Sequence, residues 1–247
     1  MSRNYPSDQE AISLILDIGR KMSIARFVAA NDGNITIRVS DEAVWVTPTG
    51  VNKGDLTADK LLKVRIPDSH ILEGTWKPTS EIEMHLNVYR TDDEIMSTAH
   101  AHPIYLSVLA CAGIELDLPT NTSACCVCGR IPVVPFACSG SRALADSIIP
   151  FVRDYHVVNL ANHGPIAWGK TPIEAWYRLE NAEASAHLAL ELAKIGRLRP
   201  INAQQMQEMF LLHDIKFAKC AIVREYENFE NQRPAIAFSS LFGDTII

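Results

Sequence analysis

Pro78-Thr-Ser-Glu-Ile-Glu-Met-His85 and, after the acidic turn Asp92-Asp-Glu94, Ile95-Met-Ser-Thr-Ala-His-Ala-His102 form the stretch around which the rest of the chain is arranged. The first half predicts a helix to about Arg90, capped by Thr79 or Ser80, with Glu81 in its first turn and Glu83 near the capping-box position. A first-turn acid is favoured by the helix dipole alone, so the helix by itself gives Glu81 no chemical duty. The second half predicts a strand. One residue separates His100 from His102, so on a strand both imidazoles leave the same face, within reach of one metal ion. His85, one turn after Glu81, is expected to be packed or hydrogen-bonded rather than a ligand.

A third candidate ligand ends the apolar run His156-Val-Val-Asn-Leu-Ala-Asn-His163, before Gly164-Pro165. Three imidazoles leave a tetrahedral Zn2+ with one open position, the arrangement of a catalytic rather than a structural zinc, and Glu81 is the candidate fourth ligand. His156, at a strand start, reads as structural.

Upstream, apolar residues recur at helical spacing from Ser7 to about Ala30. The turn Asn31-Asp-Gly-Asn34 leads into an expected hairpin, Ile35–Val39 with Ala43–Thr47. The turns Gly33-Asn34 and Thr47-Pro-Thr-Gly50 can both present donors to an anion. Helix-start residues follow at Asp55–Leu61, then a strand at Leu62–Ile66 and a polar connection from Pro67 to Lys77.

Downstream, Pro103 starts a helix to about Ala112, and Ile131–Phe136 reads as a short strand near an edge. A helix is expected over Ser141–Val152, and buried strands at His156–Ala161 and Pro165–Trp168. Thr171-Pro-Ile-Glu174 reads as a cap, a first-position proline and an acidic third residue opening a long helix to about Lys194. Another helix is expected from Ala203 to about Glu225, ahead of an apolar end, Ala235–Ile247.

The 247 residues predict one domain, with 200–247 as a C-terminal extension. A hydrophobic fraction of 47% against 21% charged is that of a globular protein. With 23 Lys+Arg against 29 Asp+Glu and no dense basic run, composition argues against nucleic acid as a partner. No stretch is apolar enough for a signal peptide or a membrane span, which points to the cytoplasm. Cys125, Cys126, Cys128 and nearby Cys138 lack the paired spacing of a zinc knuckle and read as small buried thiols.

In order and spacing, Gly33-Asn34, Thr47-Pro-Thr-Gly50, Thr79-Ser-Glu81, His100-Ala-His102 and Asn162-His-Gly164 resemble the class II aldolase/adducin family, over roughly residues 8–195. The resemblance implies an α/β fold of α/β/α layers with a mainly antiparallel central sheet. It implies a zinc enzyme, with one Zn2+ per subunit, or Mn2+ or Co2+ in its place, held by His100, His102 and His163. Glu81 would be both a ligand and the catalytic carboxylate, while Gly33, Asn34, Thr49, Gly50, Thr79 and Ser80 would line a substrate-phosphate pocket. The implied reaction is aldol cleavage of a small phosphorylated ketose of the L-fuculose 1-phosphate type to dihydroxyacetone phosphate and an aldehyde. A homotetramer with active sites between subunits is implied as well. Pro119–Gly129, where the family's aldolases carry a tyrosine proton donor, has none. The same scaffold hosts decarboxylases, dehydratases, epimerases and the non-enzymatic adducin head.

Overall fold

The computed structural model describes residues 4–117 and 120–212. Among them, eight strands form one sheet: β1 (Asn34–Arg38), β2 (Ala43–Val46), β3 (Leu62–Arg65), β4 (Ile71–Glu73), β5 (Ser97–His100), β6 (Val133–Val134), β7 (Val157–Leu160) and β8 (Gly164–Gly169). Their order is β4-β3-β2-β1-β5-β8-β7-β6, antiparallel throughout except for the parallel β6/β7 edge. Pro132 and Pro135 bracket β6, and prolines cannot donate to a ladder, which keeps this strand short and at the margin. The sheet is the mainly antiparallel one expected.

Among the described residues there are six α-helices: α1 (Asp8–Ile24), α2 (Ile82–Thr91), α3 (Ile104–Ala112), α4 (Arg142–Ser147), α5 (Glu174–Ile195) and α6 (Ala203–Leu212). Strand alternation divides the core between the two faces. Ile35, Ile37, Ala99 and Ala167 pack with Ile15 and Met22 of α1, Leu106 of α3 and Trp176 and Leu179 of α5. Val44, Val46, Ile166 and Trp168 pack on the other side with Met84 and Tyr89 of α2 and Leu144 of α4. No helix among the described residues is long and apolar enough to cross a membrane.

Several boundaries differ from expectation. Helix α1 stops at Ile24, short of Ala30, because Arg26 turns left-handed (φ 58°) and Phe27 N–H donates back to Met22 O at 2.9 Å. The Asp55–Leu61 signals resolve into two 3-10 turns, Lys53–Asp55 and Ala58–Lys60. The connection from Pro67 to Lys77 contains β4, an exposed edge strand without apolar alternation facing the core. Pro150 lacks the N–H a continuous helix needs, so the Ser141–Val152 segment becomes α4 and a 3-10 turn at Ile149–Phe151. Helix α5 begins at Glu174, with Ile173 rather than Thr171 in the cap position. Of the expected Ala203–Glu225 helix, α6 covers the part to Leu212; the remainder and the apolar end lie outside the described residues.

Gly19 of α1 carries the contact that seats this helix on the loop after β2. An added Cβ there would lie 2.5 Å from Lys53 O and 2.9 Å from Leu56 Cδ1. Replacing a mid-helix glycine by alanine ordinarily stabilises by roughly 0.5–1 kcal/mol, whereas forcing a methyl into packed backbone costs about 1–3 kcal/mol. Gly19→Ala is therefore expected to lower the melting temperature in a thermal scan. An unchanged or raised value would show that the Lys53 turn yields freely.

Candidate metal centre

Strands β1 and β5 pair with Asn34 opposite His100 and Thr36 opposite Thr98. All four side chains therefore leave the face covered by α2, in a layer otherwise filled by apolar residues such as Val44, Val46, Ile166 and Trp168. Helix α2 answers with polar groups. His85 and Tyr89 reach Thr98 and Thr36, and Glu81 stands at the N-terminal end over His100. Glu81 occupies the cap position, not the first turn, and neither it nor Thr79 or Ser80 caps the helix through a side chain. Its carboxylate turns into the site instead, while its own backbone N–H donates to Thr79 Oγ1 at 3.3 Å.

His100 is fully buried at the end of β5; His102 lies two residues on, just beyond the strand, and its backbone N–H donates to Phe27 O at 2.9 Å. His163 sits in the turn between β7 and β8. Gly164 beside it permits close approach, since a Cβ there would lie 2.7 Å from Ala101 O and 3.0 Å from His102 Cδ2. The three rings meet with centroids 4.7–4.9 Å apart, and each offers one ligand atom within 4.8 Å of the others. Glu81 Oε2 lies 3.3 Å from His100 Nε2, and Oε1 lies 3.4 Å from His163 Nε2.

The second nitrogens decide what this cluster can hold. His100 Nδ1 lies 2.9 Å from the carbonyl of Pro165, which only accepts, so Nδ1 carries the proton. His102 Nδ1 lies 3.1 Å from the Asp32 carboxylate and is protonated for the same reason. Burial holds His100 well below its ordinary pKa, hence neutral. Its Nε2 lone pair then faces that of His102 at 3.1 Å, with a carboxylate oxygen beside them. Lone pairs directed at one another repel, and a divalent cation between them turns the repulsion into coordination. The set of three imidazoles and a carboxylate suits Zn2+. His163 Nδ1 is buried without a hydrogen bond among the described residues, so coordination through Nε2 is the interaction that would orient this ring. Burial alone would raise the Glu81 carboxyl. Hydrogen bonds from the Asn34 amide and the Ser139 hydroxyl favour its ionised form, and the carboxyl stays below the usual range.

The six residues expected at a phosphate pocket gather beside this cluster. A bridge between Pro48 and Pro78, with Thr49 N–H donating to Lys77 O at 3.0 Å, brings Thr49-Gly50 alongside Thr79-Ser80. Asn34 Nδ2 donates to Thr79 Oγ1 and to Glu81 Oε2, both at 3.0 Å. Gly33 makes its turn with φ 78° behind His100 O; Gly50 (φ 76°) and Ser80 are exposed. Buried Lys53 ties the two turns together, its Nζ donating to Asn31 O at 2.9 Å and Val51 O at 2.6 Å.

The chain resembles known proteins along most of its length. The family model for "Class II Aldolase and Adducin N-terminal domain" matches residues 13–190. The chain belongs to the class II aldolase and adducin family. Within that family, it is 29% identical over 211 residues to a 3-oxo-tetronate 4-phosphate decarboxylase of Pectobacterium atrosepticum, covering 82% of this chain and 94% of that protein. It is 31% identical over 175 residues to an L-fuculose phosphate aldolase of Methanocaldococcus jannaschii, covering 71% and 93%. A crystal structure of a putative aldolase/epimerase/decarboxylase from Escherichia coli superposes with a TM-score of 0.76 at 26% identity, covering 83% of this chain and 99% of that one.

Two residues around the cluster escaped the sequence reading. Asp32 lies in a turn whose composition explains itself, and Ser139, whose Oγ donates to Glu81 Oε1 at 2.8 Å, lies 58 residues away in a Ser-Gly turn. The described cysteines stay outside the site. Burial pushes the Cys125 and Cys128 thiols up to about 12, while Cys138, expected to be buried, is exposed together with Cys111. His156 is largely buried beside Val127 O, in keeping with a structural role.

Asp32 is placed to fix the tautomer of His102. Losing such a partner typically weakens metal binding by about 10- to 100-fold. Asp32→Asn is expected to lower Zn2+ affinity by that order in competition with a chromophoric chelator, without loss of fold. Unchanged affinity would reduce the contact to an ordinary surface ion pair.

Proposed function

We propose that the chain is a metal-dependent lyase that cleaves a small phosphorylated ketose, of the L-fuculose 1-phosphate type, to dihydroxyacetone phosphate and an aldehyde. The observation that carries the reading is the Glu81 carboxylate. It lies 3.3–3.4 Å from two of three converging imidazoles, at the sheet end where the candidate phosphate-binding turns meet. His100, His102, His163 and, before substrate arrives, Glu81 would hold one Zn2+, with Mn2+ or Co2+ as substitutes. The bound cation supplies a Lewis acid beside the ketose carbonyl.

The remaining work falls to the chain's own groups. Gly33, Asn34, Thr49, Gly50, Thr79 and Ser80 would hold the phosphate through backbone and hydroxyl donors. Glu81, kept ionised by its neighbours, would act as the base in the condensing direction, and its conjugate acid would return the proton to the enediolate carbon after cleavage. Exposed apolar residues one turn apart on α3, Ile104 and Val108, suit a homotetramer with sites between subunits. We place the enzyme in the cytoplasm, with 200–247 extending a single domain.

One observation favours a second reading, decarboxylation of a phosphorylated 3-oxo acid. Aldol cleavage needs another group to take the proton from the hydroxyl of the departing aldehyde. Pro119–Gly129 holds no tyrosine, and Tyr105 is stacked on His187 with ring centroids 3.9 Å apart. Decarboxylation needs no second base: one proton has to reach the carbon that loses CO2, and Glu81 can relay it from solvent once substrate has displaced it. A panel of ketose 1-phosphates, pentulose 5-phosphates and phosphorylated 3-oxo acids, with products identified by NMR, separates the two. Aldehyde with dihydroxyacetone phosphate supports the first reading, CO2 release the second, and absence of both products defeats the lyase assignment.

Glu81→Gln preserves the size of the side chain and the three imidazoles. It is expected to keep near-normal zinc content and fold while turnover falls by about 100- to 10,000-fold, the usual loss for a general acid or base. Turnover within about threefold of the parent would remove Glu81 from the chemistry.

A further inference from the structure

His85 is buried completely beneath α2, touches none of the three imidazoles that face the cation site, and has both ring nitrogens engaged. Nδ1 meets Thr98 Oγ1 and Nε2 meets Asn34 Oδ1, both in short contacts. Thr98 Oγ1 lies 2.6 Å from Thr36 Oγ1, which lies 2.6 Å from Tyr89 Oη. A continuous buried chain therefore runs from Tyr89 through Thr36, Thr98, His85 and Asn34 to Glu81.

Its direction follows from what each end can do. An ionised Glu81 only accepts, so Asn34 must present its NH2 group to Oε2, leaving Oδ1 towards His85. A carbonyl oxygen only accepts, so His85 Nε2 carries the proton. Burial, against the partial opposition of Glu81, pushes the His85 pKa down to about 4, which leaves a neutral ring whose Nδ1 is a lone pair. Thr98 must then donate to Nδ1, and Thr36 offers its hydroxyl to Thr98 or to Tyr89 Oη, which also finds Thr36 O at 3.2 Å. From Thr98 through His85 to Asn34 each bond has one direction, and reversing any of them would leave a buried group unpaired.

We propose that His85 is a positioning residue: through Nε2 it locks the Asn34 amide against flipping, with Nδ2 facing Glu81 Oε2, while the Ser139 hydroxyl holds Oε1 at 2.8 Å. The effect expected on turnover rests on the role given to Glu81 under Proposed function, whereas the hydrogen-bond direction does not.

Two measurements on the full-length zinc-loaded protein test it. The first needs no substrate. In a long-range 1H–15N correlation spectrum of histidine-labelled protein, His85 is expected as the neutral Nε2–H tautomer with a slowly exchanging proton. A neutral Nδ1–H ring, or an imidazolium at neutral pH, would overturn the proposal. The second compares two variants of similar size and polarity. In His85→Gln the amide reaches the place of Nε2 and keeps the bond to Asn34; in His85→Asn it reaches only the place of Nδ1 and keeps the bond to Thr98. Asn is expected to lose about 10- to 100-fold in kcat, part of the full acid–base contribution, with little change in KM. Gln should stay within about threefold of the parent at a comparable melting temperature. Equal losses in the two variants, or losses confined to KM, would show that His85 serves packing alone. A parent protein that turns over nothing in the panel would defeat the lyase reading, and the tautomer would still decide whether the chain runs as proposed.

Discussion

The pairing of β1 with β5, Asn34 opposite His100 and Thr36 opposite Thr98, is the constraint on which the rest of the molecule depends. A slip of either strand by one residue would turn its two polar side chains to the opposite face, among Ile15, Met22 and Trp176, and bring its own apolar residue, Ile35 or Ala99, under α2. The apolar residues that alternate with the polar four hold this register. The polar four determine what α2 must bring. Against an aliphatic helix face each would be an unpaired buried group; against Tyr89, His85 and Glu81 each has a partner.

That exchange explains why a polar stripe survives inside a packed layer. A net hydrogen bond contributes only about 1 kcal/mol, but an unmade one in a buried site costs about 1–3 kcal/mol. The stripe is therefore tolerated only as a complete set, and a complete set is rigid. The rigidity reaches the candidate metal centre from several sides. Pro165 O orients His100, Asp32 orients His102, and Asn34 with Ser139 orients the carboxylate. The supporting groups come from the sheet, from turns tied by Lys53, and from the α1–β1 connection that binds the His102 backbone.

Much of this was legible in the chain. The His-x-His spacing, the His-Gly-Pro break and the two glycine turns carry their chemistry in residue type and local geometry, and these are the groups that the fold brings together. The helix and strand periods placed α1, α2, α5 and the central strands. What escaped depends on long-range contact. Ser139 meets Glu81 across 58 residues and Asp32 meets His102 across a turn that composition already accounts for, so no local pattern marks either. The helix starts failed for a related reason: the Thr79 hydroxyl is taken up by Asn34 and by the Glu81 N–H within the site rather than spent on a cap. Strand β4 lacks a buried face and gives no alternation to read.

Three imidazoles and a carboxylate converge on one point at the end of β5. Anomalous diffraction at the zinc absorption edge, from crystals of protein purified without added metal and then supplied with one equivalent of Zn2+, tests this most directly. One peak per chain is predicted, about 2.0–2.1 Å from a nitrogen of each of His100, His102 and His163. Zinc bound elsewhere, or coordinated by only one of these rings, would contradict it.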